Sequence, residues 1–347
     1  MRMSRACAVG PLALALALGL ALAACGGDSE PDAGPPVLRL GYFANVTHAP
    51  AIVALEEGFL ANELGLEVKL DLRTFNAGPE VVEAIFSDAL DITYIGPNPA
   101  INAFAQSKGA AIRIVAGATS GGASLVVQPA ITAPAQLKGT KLATPQRGNT
   151  QDVALRAWLA HQGLSSDLEG GGDVSIAPQP NAQTLETFRA GEIQGAWVPE
   201  PWATRLVQEG GGSVLVDERT LWPDGKFVTT HVIVRTAFLK EHPELVAGFL
   251  RAHVRAIDFL NAEPAEARKI VNAGIEKLTG KALPVAVIER AWETLSFTVD
   301  PIAASLRKSA QDATEVGLLD AVNLDGIYDL GPLNAILSAA GKPQVTD

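Results

Sequence analysis

Apolar and polar side chains alternate over residues 37–43 (VLRLGYF), the period-two signature of a strand. The period then changes: within 50–60, Ile52, Val53, Leu55, Phe59 and Leu60 recur at helical spacing. Alternation returns over 66–75, helical spacing over 81–86, and 92–95 reads as a short buried strand. A helix starting near Pro99 leads to strands at 112–116 and 125–128. A second block repeats the order, with strands at 141–143, 174–177, 195–198 and 213–216 and helices at 152–162, 183–189 and 201–209. One more strand, 229–235, precedes a tail that reads as helical almost throughout. Its clearest amphipathic face lies in 243–260, with Val246, Phe249, Leu250, Val254, Ile257 and Leu260.

Strands alternating with helices imply parallel sheets with helices on their faces. Two such blocks and a helical tail predict an α/β fold of two lobes, each a mostly parallel sheet flanked by helices. The crossings between lobes are expected near 126–132 and 218–227. Lobe I then comprises 37–127 and a returning 225–347, and lobe II comprises 128–224.

The first 36 residues follow no such pattern. Arg2 and Arg5 precede an apolar run over 12–24 with no acidic residue before it. That run is shorter than the about 20 residues a membrane-spanning helix needs. A basic head, a short apolar stretch and a small-residue exit describe a secretory signal peptide over 1–24. The exit, Leu22-Ala23-Ala24-Cys25-Gly26, resembles the lipobox of bacterial lipoproteins, which implies cleavage before Cys25 and lipidation of it. Residues 26–36 (GGDSEPDAGPP) carry no large apolar side chain and cannot order themselves by burial. They read as a tether reaching at most roughly 35–40 Å.

Composition narrows the function classes. Cys7 falls in the segment to be removed, so the mature chain keeps Cys25 alone, with no internal disulfide and no thiol nucleophile or thiolate metal site. The formal charge of −11 becomes −13 once the two arginines of the leader are lost. Such acidity, with no basic run, makes a poor nucleic-acid binder. The sequence contains no Gly-x-Ser-x-Gly, His-Glu-x-x-His or Gly-x-x-x-x-Gly-Lys-Ser/Thr motif. Its five histidines, His48, His161, His231, His242 and His253, are not spaced for a metal. A monomer without cofactor or metal is expected, held to the membrane only by its lipid. A binding protein, an enzyme and a structural or adaptor lipoprotein are the classes left to weigh.

In open α/β sheets, ligands sit beyond the carboxyl ends of strands, beside helix N-termini. Five loops qualify. In the first, Asn45 to Pro50, Thr47 is placed to cap the next helix and His48 lies at its positive end, as a ligand contact or a solvated neighbour of the cap. In the second, Asn98 fits an N-cap and Pro99 the first helical position. The third, Ser120-Gly121-Gly122-Ala123-Ser124, offers backbone N–H groups that wrap an anion, or a plain turn before a crossing. The fourth offers Gly148, Asn149 and Thr150 at a helix start, an oxyanion site to which Arg147 adds its charge or from which it faces solvent. The fifth holds Glu200 and Trp202, ligand contacts or a helix start and core aromatics.

These loops carry a resemblance. Residues 40–50 (LGYFANVTHAP), 91–100 (DITYIGPNPA), 120–124 (SGGAS), 197–202 (WVPEPW) and 238–244 (FLKEHPE) resemble segments of nitrate/sulfonate/taurine-type substrate-binding proteins. The resemblance implies a type II periplasmic-binding fold, closing two lobes on a small organic anion for an ABC permease and its ATPase. It leans toward aliphatic sulfonates or taurine. Nitrate, bicarbonate, aromatic carboxylates and thiamine precursors are the alternatives. Enzymes of thiamine-pyrimidine synthesis share the fold but resemble one another in a Cys-rich motif that is missing here. Closure would bring Asn45, Thr47, His48, Asn98 and the 120–124 turn against Gly148–Thr150, Glu200 and Trp202, at the outer face of the cytoplasmic membrane or in the periplasm.

Overall fold

The alternating run that opens the globular part forms a strand, β1 (Val37–Phe43). The computed structural model describes residues 35–347, so the expected signal peptide, Cys25 and nearly all of the tether lie outside the described residues. β1 pairs in parallel with β2 (Lys69–Phe75) over its whole length and with β3 (Ile92–Ile95). β4 (Ile112–Gly121) ends the first passage through this sheet. A second sheet holds β5 (Ala123–Val127), β6 (Lys141–Thr144), β7 (Ser175–Pro178), β8 (Gly195–Pro199) and β9 (Ser213–Asp217). β10 (Val228–Arg235) brings the chain back, antiparallel between β3 and β4, and β11 (Leu295–Phe297) closes the far edge on β4. The strand orders are β11-β4-β10-β3-β1-β2 and β7-β6-β8-β5-β9. The two-lobed α/β architecture follows the expectation, with parallel pairing wherever a helix connects neighbouring strands.

Three expectations are corrected. The first crossing lies at 121–123 rather than 126–132, so β5 belongs to the second lobe. Gly121 and Gly122 make this corner with φ of 79° and 74°, a backbone region that glycine enters without steric cost. Leu125, Val126 and Val127 are buried between β8 and β9, and a continuous apolar run reads alike in either sheet. The second crossing, 218–227, stands where the sequence places it. The tail is helical almost throughout, as expected, broken by the short β11, whose three residues are too few to show a period. Helix starts also move. The helix after β3 is Pro97–Gln106 with Gly96 at its N-cap, not Asn98, because Pro97 fits the first turn as well as Pro99 does. Thr47 makes no capping bond either; His48 stands at the N-cap of Ala49–Glu56.

Buried polar groups tie sheet to helices in the first lobe. The carboxylate of Asp91, at the foot of β3, is wholly buried and bonds Arg39 of β1 at 2.6 Å and Arg235 of β10 at 3.1 Å. Tyr94 Oη and His253 Nδ1 are 2.9 Å apart, and His253 Nε2 lies 2.8 Å from the Gly117 carbonyl oxygen. The helix Pro243–Ala262, whose apolar face was legible from its spacing, is thereby locked over β3 and β4.

Candidate functional site

The carboxyl ends of the parallel strands in both lobes face one small cavity. From the first lobe come Phe43 at the end of β1 and Asn45, Thr47 and His48 after it, Asn76 after β2, Gly96 after β3, and Thr229 and Thr230 of β10. From the second come Pro145, Asn149, Thr150 and Gln151 after β6, Asn181 after β7, and Pro199 of β8. Four helices begin here: Ala49–Glu56, Pro97–Gln106, Thr150–His161 and Asn181–Arg189. The first N–H groups of a helix have no partner within it, and its N-terminus behaves as roughly half a positive charge. No Lys, Arg, Asp or Glu lines the cavity.

Local bonds decide what the side chains offer. The Phe43 N–H donates to His48 Nδ1 at 3.3 Å, which assigns the imidazole proton to Nε2. Burial pushes the His48 pKa down to about 3, so the ring is a neutral donor at physiological pH. Thr150 Oγ1 and Asn181 Oδ1 are buried and have no partner. Buried polar atoms are ordinarily paired, so both remain able to bond a guest, Thr150 as donor or acceptor and Asn181 Oδ1 as acceptor. Gly96 permits the lobes to meet, since a Cβ there would stand 2.5 Å from Thr150 Oγ1. The cavity measures about 20 Å³. That is room for about one water, which needs roughly 10–15 Å³ on this measure, so a guest as large as an organic anion requires the lobes to part.

Of the residues expected from the sequence, Asn45, Thr47, His48, Asn149 and Thr150 are brought together here. Gly148 stands one position back, its N–H donating to Asp152 Oδ2 at 2.9 Å. Asn98 is buried and donates instead to the Ser309 carbonyl oxygen at 3.0 Å, fixing the helix Ala303–Glu315. Ser120, Gly121, Gly122 and Ser124 form the corner between sheets, with the Phe227 N–H donating to Ser120 Oγ at 3.3 Å. The Glu200 carboxylate accepts from Thr204 N and Oγ1 at 3.1 and 3.0 Å, at the start of the helix Trp202–Gln208. Trp202 reaches across the cleft, its Nε1 donating to Asn45 Oδ1 at 3.2 Å. Arg147 turns away to the Leu168 carbonyl oxygen and to Glu169. Asn76 and Asn181 were missed, although both follow strands and the rule applied to the other loops would have found them. Thr229 and Thr230, on an antiparallel strand, carried no such signal.

Outside the cleft, larger cavities of about 600 Å³ against Ala303–Glu315 and about 490 Å³ at the hinge lie away from these helix ends.

Buried ionisable groups set a pH optimum for the fold. Burial pushes Glu200 and Glu218 up to about 7, and holds His48, His231 and His253 down at about 3, 4 and 4. As pH falls from 7 toward 4.5, the folded chain takes up protons on the two acids before the unfolded chain does, and gains stability. Below about 6.5 the unfolded chain also protonates its histidines while the folded chain does not, and three such groups outweigh two. Stability is therefore expected to peak near pH 6.5. Glu218→Gln keeps an acceptor for Trp197 Nε1, 2.7 Å away in the native chain, and removes one acid. The variant is expected to lose about 1 kcal/mol less than the parent between pH 6 and pH 8, a difference of roughly 2 °C in melting temperature. Equal losses would show that Glu218 is ionised in the fold.

Residues 32–275 match the NMT1-like family. The taurine-binding periplasmic protein of Escherichia coli is 30% identical over 207 residues, 60% of this chain and 62% of that protein. The chain thus aligns with less than two thirds of that relative's length. Among solved structures, the alkanesulfonate-binding protein SsuA from Xanthomonas axonopodis pv. citri, bound to MOPS, superposes with a TM-score of 0.68 at 23% identity, covering 83% of this chain and 96% of that one. The periplasmic nitrate-binding protein NrtA from Synechocystis gives 0.71 at 18% identity, covering 88% and 89%. At these identities the superpositions show a shared fold.

Proposed function

The chain belongs to the NMT1-like family, and from that premise we propose that it is the extracytoplasmic solute-binding protein of an ABC importer, capturing a small organic anion, an aliphatic sulfonate or taurine. The observation that carries this reading is the cleft: four helix N-termini and neutral donors converge on a cavity with no side-chain charge. Such a site compensates an anion by dipoles fixed before it arrives. The relatives are binding proteins for taurine and alkanesulfonate, and none of the catalytic motifs sought in the sequence occurs. The smallness of the cavity and the nitrate-binding neighbour favour nitrate as the second reading. Closed on its ligand, the protein docks on a separate permease with its own ATPase.

The protein acts as a monomer outside the cytoplasmic membrane, lipidated at Cys25 and tethered through 26–36. Among the described residues, no helix is long and apolar enough to cross a membrane.

Ligand class is read from thermal melts. A ligand at 100 times its dissociation constant stabilises by about 2.7 kcal/mol, a shift of several degrees at this chain length. Taurine or short alkanesulfonates are expected to give that shift and to be recovered chemically unchanged. Nitrate and bicarbonate are expected to give less. A shift with nitrate alone moves the assignment to the second reading, and consumption of any ligand overturns the transport role.

Closure itself is tested at Gly96. Its φ of −70° suits any residue, so Gly96→Val adds volume without backbone strain. The new side chain meets Thr150 across the cleft. Overpacking of this kind costs about 1–3 kcal/mol, so ligand affinity is expected to fall by roughly ten- to a hundredfold while the ligand-free melting temperature stays within a few degrees. Parental affinity in this variant would mean that the ligand does not require the lobes to meet at Thr150.

A further inference from the structure

Trp202 belongs to the second lobe, at the first position of the helix after β8, yet its hydrogen bond goes to the first lobe. The ring is held from behind: the Arg205 guanidinium lies 4.6 Å from its centroid, and Glu209 bonds that guanidinium at 2.7 and 3.1 Å, neutralising it. The indole N–H then donates to Asn45 Oδ1 at 3.2 Å. An amide presents either its oxygen or its NH2 to a given side, and rotation by half a turn exchanges them. An indole N–H only donates, so it selects the orientation in which the oxygen faces Trp202. The NH2 group of Asn45 is thereby left for the cavity that Asn45 lines.

The same device recurs around the cavity. Asn149 Nδ2 donates to Gln151 Oε1 at 3.0 Å, so Gln151 keeps its NH2 free, and the Phe43 N–H occupies His48 Nδ1, so His48 keeps its Nε2–H. Each of these partners lies in the same lobe as the group it orients. Trp202 alone supplies its hydrogen bond from the opposite lobe, so Asn45 acquires its orientation only when the lobes meet.

We infer that Trp202 is a positioning residue, which on closure turns the Asn45 amide so that its NH2 group donates to the bound anion. The inference deepens the proposed function and rests on the cavity being the anion site. Trp202→Phe retains the ring and removes the donor. Titration calorimetry with ethanesulfonate, or with nitrate where only nitrate shifts the melt, compares the parent with W202F, N45A, their double variant and T150V. W202F is expected to weaken binding about three- to tenfold, the worth of one hydrogen bond, with a ligand-free melting temperature within about 2 °C of the parent. In the N45A background the same change is expected to cost less than twofold, because no amide is left to orient. A packing role would cost the same in both backgrounds.

The inference is overturned if W202F binds like the parent, or if its cost is equal with and without Asn45, while T150V weakens binding. If T150V and N45A both bind like the parent, or if neither anion binds the parent, the cavity is not the anion site, and the proposed function falls with the inference.

Discussion

Asp152→Ala is expected to lower the stability of the fold by about 3–5 kcal/mol, the usual cost of stripping a buried ion of its partner. Asp152 is fully buried in the first turn of the helix Thr150–His161, and its carboxylate holds three groups at once. Oδ1 accepts from Thr144 Oγ1 at 3.0 Å and from Arg156 Nε at 3.2 Å, and Oδ2 accepts from the Gly148 N–H at 2.9 Å. Arg156 is as deeply buried as Asp152 and otherwise donates only to the Asp167 carbonyl oxygen, at 3.0 Å. Removal of the carboxylate leaves a guanidinium in the protein interior without a counter-charge. It also frees the loop that carries Asn149 and Thr150 to the cleft. Domains commonly hold only about 5–15 kcal/mol in total, so the melting temperature should drop by roughly 6–20 °C. Ligand affinity should fall with it, because the Gly148 turn is no longer fixed. Asp152→Asn, which keeps one acceptor oxygen, should retain part of both. A denaturant midpoint for Asp152→Ala corresponding to less than 1 kcal/mol of loss would show that the pair is solvated, against its burial here.

Cys25→Ser is expected to move the protein from the membrane pellet to the soluble fraction. Two or more acyl chains anchor a protein stably, whereas a single chain holds it only marginally. In the proposed arrangement nothing else touches lipid: the mature chain is acidic, has no basic run, and shows no membrane-spanning helix among the described residues. The serine variant should keep its ligand-dependent melting shift, since the cleft is built from residues of 43–230. Retention in the pellet after a high-salt wash would sink the proposed anchor, whereas loss of the melting shift would show that the leader region takes part in folding.

Much of the fold was legible because secondary structure leaves a local period. Val37–Phe43 and Ile92–Ile95 were bounded to the residue, and the helix Pro243–Ala262 was found from six apolar positions. The rule that ligands lie beyond strand ends led to Asn45, Thr47, His48, Asn149 and Thr150, all of which line one cavity. The same rule, left unapplied after β2 and β7, would have added Asn76 and Asn181. Helix starts were less secure, since Pro97 and Pro99 satisfy the first turn equally and only the hydrogen-bonded ladder chooses between them.

What the chain determines by itself is therefore its elements and their order, because periodicity is imposed by the backbone repeat on each segment separately. Partnership is not local. Whether Leu125–Val127 joins the first sheet or the second depends on β8 and β9, which lie some 70–90 positions downstream. Asn98 serves Ser309 rather than the ligand cleft, and Trp202 serves Asn45, across 211 and 157 positions respectively. A polar side chain carries the same donors and acceptors in any surroundings. Only the packing of the two lobes decides which of those atoms are consumed within the chain and which, as at Thr150 and Asn181, are left unpaired.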